Sequence, residues 1–165
     1  MKRALVLAVV VCAIAVGARG QFVSSVRPAQ SGAKGEAVQY LFPEQVTVAA
    51  GKATAVALHF RVAAGLHVNS HTPSDEFLIP TVFSIPDGAG VKLAEAKYPS
   101  GVDITLPADP KTKLNVYTGE FTIDTRLVAA AGNHLVQAKL RYQACDQTQC
   151  LPPKTITVPI DVIGR

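Results

Sequence analysis

The chain has no tryptophan, and its single methionine is Met1. Six Phe and four Tyr are its only aromatic residues, too few and too scattered for a base-stacking patch. Soft copper sites favour a thioether ligand, which the chain lacks beyond its first residue. No Gly-rich phosphate loop and no Gly-x-Ser-x-Gly elbow occurs, so neither the nucleotide-binding signature nor the hydrolase one is present. Long apolar runs are missing as well. The longest, Ala4 to Val16, has thirteen residues, short of the roughly 20 that a membrane-spanning helix needs.

That run follows the basic start Met1-Lys2-Arg3 and precedes Ala18-Arg19-Gly20, which places small residues where a signal peptidase reads. Residues 1–20 are therefore expected to be a cleavable leader for export to the periplasm or the medium, removed before Gln21. Cys12 lies inside the apolar core of the leader, not just after it, which argues against a lipid anchor. Losing Lys2, Arg3 and Arg19 takes the sixteen Lys and Arg to thirteen against twelve Asp and Glu, and the net charge from +4 to +1. The basic character belongs largely to the targeting segment. Nothing in the charge then indicates a nucleic acid partner, or stable membrane insertion after cleavage.

From residue 21 to 37 the chain is rich in Gly, Ser, Ala and Gln without apolar period, and reads as a flexible tether. Residues 38–165 read as one domain. Period-two alternation then dominates: Val56, Leu58, Phe60 and Val62 share one face, as do Val136, Ala138, Leu140, Tyr142 and Ala144, and Ile156, Val158, Ile160 and Val162. Shorter candidate strands are 45–49, 66–69, 80–85, 91–96 and 114–124, with turn formers between them, and 127–131 is a candidate single helical turn. Seven or eight short strands predict an all-β fold, an antiparallel immunoglobulin-like sandwich, with a barrel as the alternative. The Cys…Trp…Cys framework of antibody domains is absent. Residues 103–113, with Pro107 and Pro110, read as a long surface loop.

Once the leader is removed, Cys145 and Cys150 are the only cysteines, an even pair in an oxidising compartment. They bracket a turn over Asp146 to Gln149. A disulfide there closes so short a loop that it adds about 2 kcal/mol, against nearly 5 for a bridge spanning ~100 residues. On residue chemistry alone a structural staple and a redox pair stay equally open. Pro152 and Pro153 hold the chain extended after Cys150, so this cysteine has no helix terminus to depress its thiol pKa. Such a pair suits attack by the activated thiolate of a partner.

His67 and His71 with the two cysteines make a conceivable Cys2His2 set, but the spacings do not match zinc motifs. No metal and no cofactor is expected. His59 and His134 read as solvated. Ser70, His71 and Asp75 lie close in sequence without the context of a catalytic triad.

Two stretches carry a family resemblance. Gly65-Leu66-His67-Val68-Asn69-Ser70 with Asp75-Glu76-Phe77-Leu78-Ile79-Pro80-Thr81 is one, and Tyr142-Gln143-Ala144-Cys145 with Cys150-Leu151-Pro152-Pro153 is the other. Together they resemble the N-terminal domain of the thiol:disulfide interchange protein DsbD, from about Val38 to Ile163. The resemblance implies a periplasmic immunoglobulin-like module whose cysteines exchange with thioredoxin-fold proteins, both an electron donor and client oxidoreductases. It implies that Cys150 forms the mixed disulfide and Cys145 resolves it. It also implies a cap loop over the pair, in the place of residues 103–113, and makes Asp103, Leu106, Tyr117, Tyr142 and Pro152 the candidates for capping and partner contact. Three features depart from the family. The turn between the cysteines is one residue shorter than in the best-known member. The cap segment lacks the covering Phe, which leaves Leu106 or no residue for that task. The chain ends at Arg165 without a membrane channel or thioredoxin domain, so the electron supply is expected from a separate protein. The competing expectation is a binding or assembly module with a fixed disulfide.

Overall fold

From Thr54 to Val62 the side chains alternate between solvent and core, with Leu58 and Phe60 at 1% and 0% exposure. The same period buries one face of the long strands 120–129, 132–142 and 154–164, and the computed structural model, which describes residues 35–42 and 45–165, is built almost wholly from strands. The leader and residues 21–34 of the tether lie outside the described residues. Residues 36 and 37 already belong to the packed body: Glu36 lies 3.4 Å from the Lys154 ammonium, and Ala37 is buried.

In chain order the strands are β1 (Val38–Leu41), β2 (Gln45–Val48), β3 (Thr54–Val62), β4 (His67–Asn69), β5 (Val82–Ser84) and β6 (Val91–Lys97). Then follow β7 (Val102–Leu106), β8 (Asp109–Tyr117), β9 (Glu120–Ala129), β10 (Gly132–Tyr142), β11 (Ala144–Cys145) and β12 (Lys154–Gly164). They form three sheets, ordered β1-β3-β9-β6, β2-β12-β10-β5 and β11-β4-β8-β7. The buried faces of the first two supply most of the core, which makes the immunoglobulin-like all-β sandwich that the alternation predicts. The third sheet is tied to both, because β8 turns into β9 and β10 runs on into β11. An aromatic column reinforces the join: Tyr40, Phe60 and Phe121 stand opposite one another across β1, β3 and β9, and Tyr117 of β8 stacks on Phe121 at 4.8 Å.

Several local expectations change. Twelve strands are described where seven or eight were expected, because many are only two to five residues long. The segment 114–124 is two strands, with the Thr118-Gly119 turn between them; Gly119 takes φ +60°, which a glycine adopts freely. Residues 127–129 end β9 and are not a helical turn, since pairing of Leu127 and Ala129 with β3 and β6 holds them extended. One pair is parallel: β2 lies beside β12, reached by a switch of sheets after Phe42, whose φ of +53° marks the sharp change of direction.

The presumed loop 103–113 is a β-hairpin of β7 and β8. Its prolines hid the alternation of Val102, Ile104 and Leu106. Pro107 lies in the turn, and Pro110 falls in the unpaired stretch where the register shifts, so neither removes a ladder hydrogen bond.

Candidate functional site

Tyr142 and Lys154 stand directly opposite each other at the end of the β10–β12 ladder. Residues 143–153 therefore form a hairpin that leaves the second sheet, and β11 within it joins the third by pairing Ala144 with Val68 and Cys145 with His67. The hairpin is held locally. The Leu151 N–H donates to the Ala144 carbonyl at 2.8 Å and the Asp146 N–H to the Gln149 carbonyl at 2.9 Å. Between these two bonds Cys145 and Cys150 face each other as an antiparallel bridge and form a disulfide, S–S 2.04 Å. Their Cα atoms are 3.9 Å apart, shorter than the ~4.4–6.8 Å usual for disulfides and than the ~4.5 Å of opposed antiparallel residues without mutual hydrogen bonds.

Asp146 organises the turn. Its Oδ1 accepts from the Thr148 N–H at 2.7 Å, the Gln149 N–H at 2.8 Å and the Thr148 hydroxyl at 2.8 Å. These bonds, led by the Thr148 and Gln149 backbone, hold the carboxyl below its ordinary pKa. The motif was open to sequence reading, since Asp followed two residues later by Thr between cysteines is an Asx-turn signature.

The two sulfur-bearing residues differ in access. Cys145 is 3% exposed, packed in β11 against β4, whereas Cys150 is exposed, followed by exposed Leu151, Pro152 and Pro153. Of the two, Cys150 is the residue open to solvent.

Behind Cys145 stands His67, buried at 6% exposure, with an Nε2 that makes no hydrogen bond. Burial lowers its pKa, and the negative charge of Asp146 opposes that shift. In the sequence His67 stood out only as a conceivable metal ligand and as part of the first family stretch; the register of β4 against β11, which makes it a neighbour of Cys145, is a tertiary fact. His71 is past the end of β4, stacked on Tyr98 at 3.6 Å with its Nδ1 3.0 Å from the Thr81 carbonyl, so the two histidines do not share a strand face. Among the described residues no group of three or more His, Cys, Asp or Glu is placed to hold a metal ion. His59 is exposed beside the Thr122 hydroxyl, and His134 is half-buried with Nε2 3.0 Å from the Ala130 carbonyl.

The other expected site residues divide. Pro152 is beside the disulfide and exposed. Tyr142 is fully buried at the end of β10, three residues before Cys145. Tyr117 is buried, its hydroxyl accepting from the His71 N–H and donating to the Pro99 carbonyl, a brace within the fold. Asp103 and Leu106 are on β7, separated from β11 by β8 and β4. Because β8 runs antiparallel to β4, with Tyr117 opposite Val68 and Val116 opposite Asn69, the β7–β8 turn points away from the His67 end where Cys145 lies. This hairpin is not brought over the disulfide, and Leu106 does not cover it.

A family model described as thiol:disulfide interchange protein DsbD, N-terminal, matches residues 37–161. Among solved structures the chain is similar to the Neisseria meningitidis DsbD N-terminal domain in the reduced form. That match has 19% identity and a TM-score of 0.47, and covers 70% of this chain and 82% of the other. No curated protein matches.

Proposed function

Because the chain belongs to the family of the thiol:disulfide interchange protein DsbD N-terminal domain, we propose that it passes electrons between thioredoxin-fold proteins through Cys145 and Cys150. The observation that carries this reading is the asymmetry of the bond, one sulfur-bearing residue exposed on a hairpin and the other sheltered behind it. Exchange proceeds by in-line attack of a thiolate on a disulfide sulfur. A donor thiolate attacks Cys150 Sγ, forming a mixed disulfide while Cys145 leaves with the electron pair of the broken bond and takes up a proton. The second donor thiolate then attacks its own partner sulfur in the mixed disulfide and releases Cys150. The domain ends as a dithiol and the donor as a disulfide, a transfer of two electrons. Toward a client the steps run in reverse order of roles: Cys150 attacks, and Cys145 resolves.

Leu151, Pro152 and Pro153 give Cys150 an apolar surround on which a thioredoxin-fold partner docks without having to strip charge. The leader expected over residues 1–20 supports a periplasmic or secreted location for this activity. Among the described residues no helix is long and apolar enough to cross a membrane.

The decisive experiment is trapping. Cys145→Ser, mixed with thioredoxin-fold donors and clients, is expected to accumulate a mixed disulfide through Cys150, seen as a non-reducing gel shift, while Cys150→Ser accumulates none. The wild-type pair is expected to titrate above roughly −300 mV. A lower potential together with no adduct from any such protein marks the bond as a fixed staple and rejects the reading.

A further inference from the structure

Resolution of a mixed disulfide requires Cys145 to become a thiolate, yet Cys145 is 3% exposed and its strand offers no cation. Burial in apolar surroundings raises a thiol pKa. Apart from Cys150, the titratable side chain paired with it among the described residues is His67, directly opposite in the β4–β11 register. Opposed residues of an antiparallel pair project from the same face, with Cβ atoms ~4.5–5.5 Å apart. The imidazole is itself buried, and its Nε2 makes no hydrogen bond, an uncommon state for a buried polar atom. In the oxidised protein the neighbouring sulfur has no proton to give. In the reduced protein it does.

We infer that His67 is the general base of thiol exchange, receiving the proton of the Cys145 thiol as that sulfur attacks the mixed disulfide. This rests on the exchange reading of the pair. In the closing step the S–H bond of Cys145 breaks and the proton passes to the imidazole. The sulfur lone pair forms the bond to Cys150 Sγ. The partner sulfur leaves with the electrons of the old bond and takes the proton back from the imidazolium, directly or through solvent. In the opening direction a proton taken up from solvent, or released by the incoming thiol as it ionises, passes through the imidazole to Cys145 as that sulfur leaves.

The surroundings suit a neutral base. Burial favours the uncharged ring, and Asp146, on the hairpin after β11, is the charged group that acts on it in the opposite sense. On the other side of β4, the titratable residue in register is Tyr117, opposite Val68, whose hydroxyl is engaged by His71 and Pro99.

The test uses the reduced mature protein and the aromatic disulfide dithiobis-nitrobenzoate, which releases a coloured thiolate at each step. The first release reports attack by Cys150 and the second closure by Cys145; Cys145→Ser gives the first alone and fixes the assignment. His67→Gln is expected to leave the first release unchanged and slow the second by about 100-fold near neutral pH, the low end for a positioned base. Its pH profile should lose the histidine ionisation and climb with that of the thiol, from about pH 8 upward. A second release within about twofold of wild type, with the same profile, overturns the inference.

Should His67→Gln fail to fold, the wild-type protein still decides. Proton binding to the His67 ring, followed by NMR, must differ between the disulfide and dithiol forms, and an identical titration in both rejects the assignment. The small probe needs no protein partner. Failure to trap a thioredoxin-fold protein therefore counts against the proposed function, and an unaltered second release counts against His67.

Discussion

Asp146 shows how much one partly exposed side chain sets at this site. Its three hydrogen bonds preform the turn that brings Cys150 back over Cys145. Removing them widens the ensemble of the reduced hairpin more than that of the oxidised one, which the disulfide already closes. Asp146→Ala is therefore expected to shift the equilibrium toward the dithiol severalfold, measured against a glutathione redox series. The carboxyl is held below its ordinary pKa, so the sign is fixed: its support is complete above the ordinary carboxylate value of 3.8 and is lost as pH falls through the lowered value. Asp146→Ala should thus lose its effect on the equilibrium in strong acid.

At the level of elements, the chain between β4 and β5 is clamped at its base and exposed at its tip. Thr81, 0% exposed, donates its hydroxyl to the Asn69 carbonyl at 2.6 Å, its N–H goes to the Ser70 carbonyl, and the Asn69 amide donates to the Ile79 carbonyl at 3.0 Å. Phe77, by contrast, is 85% exposed. This clamp fixes the end of β4, the strand that carries His67 and backs Cys145. Thr81→Ala leaves the buried Asn69 carbonyl without that donor, at about 1–3 kcal/mol. The expected result is a lower urea midpoint and faster limited proteolysis within residues 72–80, with cleavage elsewhere unchanged. Uniformly faster cleavage would show that the clamp serves the whole fold and not this segment.

For the whole molecule, the buried titratable groups bound the pH range of stability. Burial lowers the His67 pKa from its ordinary 6.5, so the unfolded chain binds that proton more readily than the folded one. Stability is then full above about pH 6.5 and declines as pH falls through the lowered folded value. At the alkaline end, burial raises the pKa of Tyr98, Tyr117 and Tyr142 above 10.0, so stability declines as pH rises through their raised values. Calorimetry should give a lower melting temperature at about pH 5.5 than at about pH 7.5. His67→Gln should flatten that difference; an equal slope in the variant would assign it to other groups.

The buried faces of β3, β10 and β12, the all-β class, the turn between the cysteines and the family itself were legible in the residues, because alternation and turn chemistry are local. Val56 to Val62 and Ile156 to Val162 declare their buried sides without reference to any partner. Alternation does not say which strand lies next to which, nor in what register. Only the tertiary structure decided that β11 leaves the β10–β12 ladder to pair with β4, that the hairpin 102–117 turns away from the disulfide, and that a buried histidine stands behind the sheltered cysteine. Those choices come from long-range pairing, where the energy of burying a whole face selects one arrangement among many that local preference allows.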